Sequence, residues 1–219
     1  VYACGQASRY SLFTGTGRWE ETAQWSHGVP GQKRDALVQG ELKIEQPVSA
    51  REIALADGAI DIRPDGRLQF QHLSLYAPVA SGSRPDAPGA LFSEGHLDIA
   101  GSLTVQKTFP AAGQWYFISF PFDVYPEGID PDFVWQDDKP NPGGNYFYVC
   151  RYNGQKRAET RHPSGNWEII RPGSHPAGLP LFEKNKGYLI ALDAACNRLQ
   201  LAFSSRSGDI PADFGHKGQ

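Results

Sequence analysis

Apolar doublets separated by a single residue recur through the first half of the chain: Leu42/Ile44, Ile53/Leu55, Ile60/Ile62, Leu68/Phe70, Leu73/Leu75, Leu97/Ile99 and Leu103/Val105. A two-residue period sends both members of a pair to one face of an extended strand. Turn chemistry separates the pairs, at Asp57-Gly58, Pro64-Asp65-Gly66, Glu94-Gly95 and Ala100-Gly101. No long stretch carries the i, i+3, i+4, i+7 spacing of an amphipathic helix. The pattern predicts an all-β chain, and two arrangements of its first half are open. One is a short parallel β-helix, a solenoid whose coils stack their inward aliphatics on one another. The other is an antiparallel β-meander or sandwich, which Pro64-Asp65-Gly66 favours because it has the composition of a hairpin turn.

The texture changes near Phe109. Longer aromatic segments follow, at 114–122, 145–152, 167–170, 187–192 and 199–203, with Pro- and Gly-rich intervals such as Pro140-Asn141-Pro142-Gly143-Gly144. This half reads as an antiparallel β-sandwich. The expected division is a first domain over 1–108 and a second over 109–219. Residues 76–90, with three prolines, are expected to bulge out as a surface loop.

Composition supports a packed core: 40% of residues are apolar, with 12 Phe, 9 Tyr and 5 Trp. Twenty-one basic residues against 24 acidic ones, with no basic stripe, argue against nucleic acid as a partner. The longest apolar run, Trp115–Phe122, is strand-sized, so no transmembrane segment is expected. Val1-Tyr2-Ala3 has the small or apolar residues of a signal-peptidase cut, and an extracytoplasmic location, cell-surface or secreted, is expected. Cys4 then stands where a lipoprotein carries its modified cysteine, although Tyr2 fits that motif badly. Cys150 and Cys196 lie in or beside strands of the second half, and an oxidising compartment would favour a disulfide between them, with two buried free thiols as the alternative.

Two segments carry a resemblance. Gly15-Thr16-Gly17-Arg18-Trp19, followed by Trp25-Ser26-His27-Gly28-Val29-Pro30 and then Ile53-Ala54-Leu55-Ala56-Asp57-Gly58-Ala59-Ile60-Asp61-Ile62, resembles the opening of secreted bacterial β-solenoid, adhesin-like proteins. Trp115-Tyr116-Phe117-Ile118-Ser119-Phe120-Pro121-Phe122-Asp123 is similar to a segment of large surface proteins from Gram-negative anaerobes. The resemblance spans roughly residues 13–123. It implies the solenoid arrangement for the first half, with Trp19 and Trp25 capping the open apolar end of its first coil. It brings no catalytic residue.

A catalytic constellation is not visible. The six histidines form no His-x-His or His-x-x-x-His pair, no Gly-x-Ser-x-Gly elbow appears, and no Cys-x-x-Cys is present, so no catalytic residue, metal site or cofactor is expected. Asp123, Glu127, Asp130, Asp132, Asp137 and Asp138 cluster in sequence without the regular ligand spacing of a calcium loop and read as a solvated acidic segment. The aromatic residues remain. In Tyr146-Phe147-Tyr148, Phe147 and the tyrosines must face opposite ways, so one side is exposed or covered by a loop. Trp135, Tyr148 and Trp167 are the candidate ligand-binding residues, since exposed rings stack on sugars. The expectation is a non-catalytic structural or adhesive module of a larger bacterial surface or secreted protein, with a glycan or another surface protein as partner. The alternative is a carbohydrate-binding module associated with glycan degradation.

Overall fold

The computed structural model describes residues 10–31, 33–75, 90–137, 144–162 and 164–209, and not the side chains of Asp57, Ala90 and Phe92. The described chain is mostly strand, with one α-helix among the described residues. It divides into two compact units, Val1–Gln106 with Ser204–Gln219, and Lys107–Phe203. The expectations for Cys4, for residues 76–89 and for Asp138 lie outside the described residues.

In the first unit the doublets form β1 (Tyr10–Arg18), β2 (Asp35–Ile44), β3 (Pro47–Ser49), β4 (Glu52–Ile62), β5 (Arg67–Phe70), β6 (His72–Leu75), β7 (Ala90–Ser93), β8 (His96–Ile99) and β9 (Leu103–Thr108). One sheet runs β1-β2-β4-β6-β9, with β7 also against β4, and a second runs β3-β5-β8. The registers recorded between these strands are parallel. Like residues therefore stack in columns. One column is Ala36, Ile53, Leu73 and Leu103, and a second is Phe13, Val38, Leu55 and Leu75. Leu42 stacks on Ile60, Ile44 on Ile62, and Val48 on Leu68 and Leu97. Most of these aliphatics are fully buried, as continuous apolar columns require.

Pro64-Asp65-Gly66 does turn the chain, the Gly66 N–H donating to the Arg63 carbonyl at 2.8 Å. Its flanking strands β4 and β5 lie in different sheets, however, so it makes a corner and not a hairpin. The antiparallel arrangement of the first half is thereby overturned: a Pro-Asp-Gly turn reverses or bends a chain according to what the next strand can bury.

Glycine marks the places where neighbouring strands come closest. Gly15, Gly40 and Gly58 are register partners. A Cβ on Gly40 would overlap the Gly15 carbonyl, and one on Gly58 the Gly40 carbonyl. A second column follows at the corner, where a Cβ on Gly66 would strike the Ile44 carbonyl and one on Gly95 the Gly66 carbonyl. Beside the first column β4 carries an extra residue, Ala56, between the partners of Val38 and Gln39, which is a β-bulge.

At β1 the segment after Arg18 folds back over the sheet. Trp19 and Trp25 are buried, their rings meet edge to face at 5.1 Å, and Trp25 does the same with Phe13. The Trp25 indole N–H donates to the Trp19 carbonyl at 2.8 Å, so the buried Trp25 ring leaves no stranded polar atom. At the other end of the chain, the Ser205 N–H donates to the Leu103 carbonyl at 2.9 Å and the Ser205 hydroxyl accepts from the Leu103 N–H at 3.0 Å.

The second unit holds β10 (Trp115–Ser119), β11 (Val134–Trp135), β12 (Tyr146–Tyr152), α1 (Gly154–Thr160), β13 (Trp167–Ile169), β14 (Gly187–Leu192) and β15 (Gln200–Ser204). A five-stranded sheet runs β10-β14-β12-β11, with β13 also against β12. Its pairings are antiparallel except β11 with β12. One face buries Ile118, Tyr188, Ile190, Leu192, Phe147 and Val149. Further inside the unit Phe120, Phe182 and Phe203 form a ring cluster, with centroids 4.7–5.6 Å apart. The helix α1 was not expected. Asn153 caps it by accepting from the Lys156 N–H at 2.9 Å, and it buries no residue, so it has no apolar stripe to read in sequence.

Replacing Gly40 with Ala is expected to destabilise the chain by about 1–3 kcal/mol, the usual cost of overpacking. Gly31, whose added Cβ would meet nothing within 4 Å, is the control and should tolerate Ala. Urea midpoints of the two variants check this, and equal midpoints would refute the close backbone stack.

Candidate functional site

The opposite face of the five-stranded sheet is the candidate site. Register places Trp115, Ala191 and Tyr148 in one row and Phe117, Leu189, Cys150 and Ile169 in the next, with Tyr152 paired to Trp167 beyond them. Trp115 is 46% exposed, Phe117 69%, Tyr152 47% and Trp167 37%. Contiguous apolar exposure of this kind marks an interaction surface more often than an isolated exposed ring does.

The rings are held in place. Phe117 lies over Gly187, where an added Cβ would collide with its ring, and so covers the backbone of a residue that has no side chain. Tyr152 and Trp167 meet edge to face at 5.3 Å. Tyr148 donates its hydroxyl proton to Asp193 Oδ2 at 2.6 Å, and Asp193 Oδ1 accepts from the Ala195 N–H at 2.9 Å. Desolvation, then the hydrogen bond to Asp193, pushes the Tyr148 phenol up to about 12. The hydrogen bond from Tyr148, followed by that from the Ala195 backbone, holds the Asp193 carboxyl below its ordinary value. A hollow of about 270 Å³ opens here, lined by Trp115, Tyr148, Ile169, Ala191, Leu192 and Asp193 among others.

Of the three aromatic residues singled out in the sequence, Tyr148 and Trp167 share this face. Trp135 does not: its register partner is Phe147, whose side chain is buried on the other side. The Trp135 indole N–H donates to the Ile170 carbonyl at 3.2 Å and its ring meets His175 edge to face at 5.2 Å. Sequence reasoning missed Trp115, Phe117 and Asp193. The available signal was Trp115-Tyr116-Phe117-Ile118, a strand with bulky residues at every position, which cannot bury both faces unless both are covered.

The bridge expected between Cys150 and Cys196 is not formed. Both thiols are free and buried. Cys150 sits on the sheet between Leu189 and Ile169, and burial pushes its thiol up. Cys196 follows the turn after β14, its sulfur 3.1 Å from the Arg198 carbonyl and 3.5 Å from Asn145 Oδ1. The acidic segment is engaged structurally: Arg198 pairs with Asp130 at 2.6 Å and Asp132 at 2.7 Å, and Asp123 accepts from the Lys184 N–H. Among the described residues no group of three or more His, Cys, Asp or Glu is arranged to hold a metal ion.

Comparison with protein-family models, with curated proteins and with solved structures finds no match to this chain.

Tyr148 is protonated more tightly in the folded chain than its ordinary value of 10. Its contribution to stability is therefore complete below pH 10 and falls as pH rises toward about 12. A difference titration of tyrosinate absorbance, wild type minus Tyr148→Phe, is expected to show one transition near pH 12. A transition near pH 10 would mean that Tyr148 is neither desolvated nor bonded to Asp193 in solution.

Proposed function

We propose that this chain is a non-catalytic, adhesive module of an extracytoplasmic bacterial surface protein. Its first unit is a short parallel β-helix serving as scaffold, and its second is a sandwich-like unit serving as the binding element. The observation that carries the reading is the exposed aromatic row of Trp115, Phe117, Tyr152 and Trp167 on a sheet whose other face buries Ile118, Tyr188, Ile190, Leu192, Phe147 and Val149. The β-helix reading is supported by the parallel columns of buried aliphatics and by the glycine columns at the points of closest backbone approach. Such an interior leaves little room for reaction chemistry. The paired Trp19 and Trp25 over Phe13 suit the cap that the first coil of a stack requires.

A second reading, a carbohydrate-binding module working with glycan degradation, draws on the hollow beside Trp115, where an aromatic face and a carboxylate lie together. The two readings differ in whether the parent protein or its partners cleave what this face holds.

Beads coated with the purified chain are expected to be retained on mucin-coated or cell-coated surfaces. Beads carrying the triple variant Trp115→Ala/Phe117→Ala/Trp167→Ala should be retained at least about tenfold less, a difference of about 1.4 kcal/mol in all. Equal retention of the two, or turnover of any polysaccharide by the purified chain, would refute the adhesive module.

A further inference from the structure

We propose that the hollow beside Trp115 is a saccharide subsite, taking one or two sugar rings of a neutral glycan. This rests on reading the aromatic sheet face as an adhesive surface, and adds to it a ligand class and the groups that select it.

Size is the first argument. At about 270 Å³ the hollow lies just under the roughly 300–1,000 Å³ of sites for drug-sized ligands, which suits one or two small rings and not a folded peptide segment. The second is hydrogen-bonding sense. Tyr148 has already given its only proton to Asp193, and Asp193 has already taken that proton's bond and the Ala195 N–H. What remains at the rim, on the phenol oxygen and the carboxylate, can only accept. A ligand must therefore bring donors beside an apolar face that can lie on the half-exposed indole of Trp115. A pyranose does both: its axial C–H bonds form an apolar face, and its hydroxyls stand around the edge as donors.

Charge is the third argument. Across the rows Trp115/Ala191/Tyr148 and Phe117/Leu189/Cys150/Ile169 no ionised side chain appears, and Asp193 stands at the rim. An acidic glycan would meet repulsion from Asp193, held ionised by its two donors. A cationic chain would find no carboxylate within the rows, with Asp193 at the rim and Asp137 near Tyr148. The fixed positions of Phe117 over Gly187 and of Tyr148 against Asp193 lower the ordering cost of binding.

The test is affinity electrophoresis and calorimetry of the purified chain against soluble neutral polysaccharides (mixed-linkage β-glucan, galactomannan and laminarin), with polygalacturonate and polylysine alongside. Retardation by at least one neutral polysaccharide is expected, insensitive to 0.5 M salt in the manner of an uncharged ligand (about 4 Å Debye length at that strength). Trp115→Ala should weaken it at least about tenfold, while Trp135→Ala, on the other side of the sheet, leaves it unchanged; circular dichroism confirms that both variants fold. No binding to any neutral glycan overturns the proposal, as does binding that survives Trp115→Ala. Salt-sensitive binding to polylysine alone overturns it in favour of a cationic partner. If the beads are still retained through the aromatic row while glycans fail, the saccharide subsite falls and the adhesive face stands.

Discussion

The first unit is governed by one constraint: parallel strands, each a continuation of the same winding chain, must lie in register at hydrogen-bonding distance. Register turns every position into a column. A column of aliphatics, such as Ala36, Ile53, Leu73 and Leu103, is dry and self-reinforcing. A column at a point of close backbone approach admits only glycine, and Gly15, Gly40 and Gly58 fill it. A slip of one residue would bring Thr and Gln to the interior and set a Cβ against the glycine carbonyls, so the two kinds of column enforce the same register. The one departure in the recorded registers, the extra Ala56 of β4, falls two residues before Gly58 of the glycine column.

A charge is also built into this stack. Asp35, fully buried at the start of β2, is held by a bidentate Arg51, with distances of 2.9 and 2.6 Å, and Arg51 keeps part of its guanidinium in water. Burying a lone carboxylate would be costly, and the forked geometry offsets part of that cost while tying the start of one strand to the turn before the next. Position 35 pairs with Tyr10 and not with an aliphatic, so the charge sits at the end of the apolar columns and not within them.

The doublets made the strands legible, because a two-residue period has one structural meaning. Their pairing sense was not legible from the doublets themselves, since Pro64-Asp65-Gly66 satisfies hairpin and corner alike; the columns that decide it exist only between strands far apart in sequence. Helix α1 was invisible because none of its residues is buried, which leaves it without an apolar stripe. The cysteines illustrate a different limit. Proximity to strands of one sheet says nothing about the face, and Cys150 is fixed on the sheet while Cys196 turns into a loop of hydrogen-bond acceptors. Half of the aromatic face was legible for the same reason that half was not. Tyr146-Phe147-Tyr148 alternates size with ring chemistry and advertises two faces. Trp115-Tyr116-Phe117-Ile118 is apolar throughout, and it reads as core until the opposite face is seen to be occupied.

The Tyr148–Asp193 pair shows what such a face is suited to. General acid–base chemistry works best when a group's proton affinity lies near the working pH. Here burial, then the hydrogen bond to Asp193, drives the phenol up to about 12, while that bond and the Ala195 N–H hold the carboxyl below its ordinary value. Neither exchanges a proton readily near neutrality, so the pair offers fixed acceptors in place of a relay. On the saccharide reading proposed above, a half-exposed indole beside fixed acceptors would orient a hydroxylated ring and hold it.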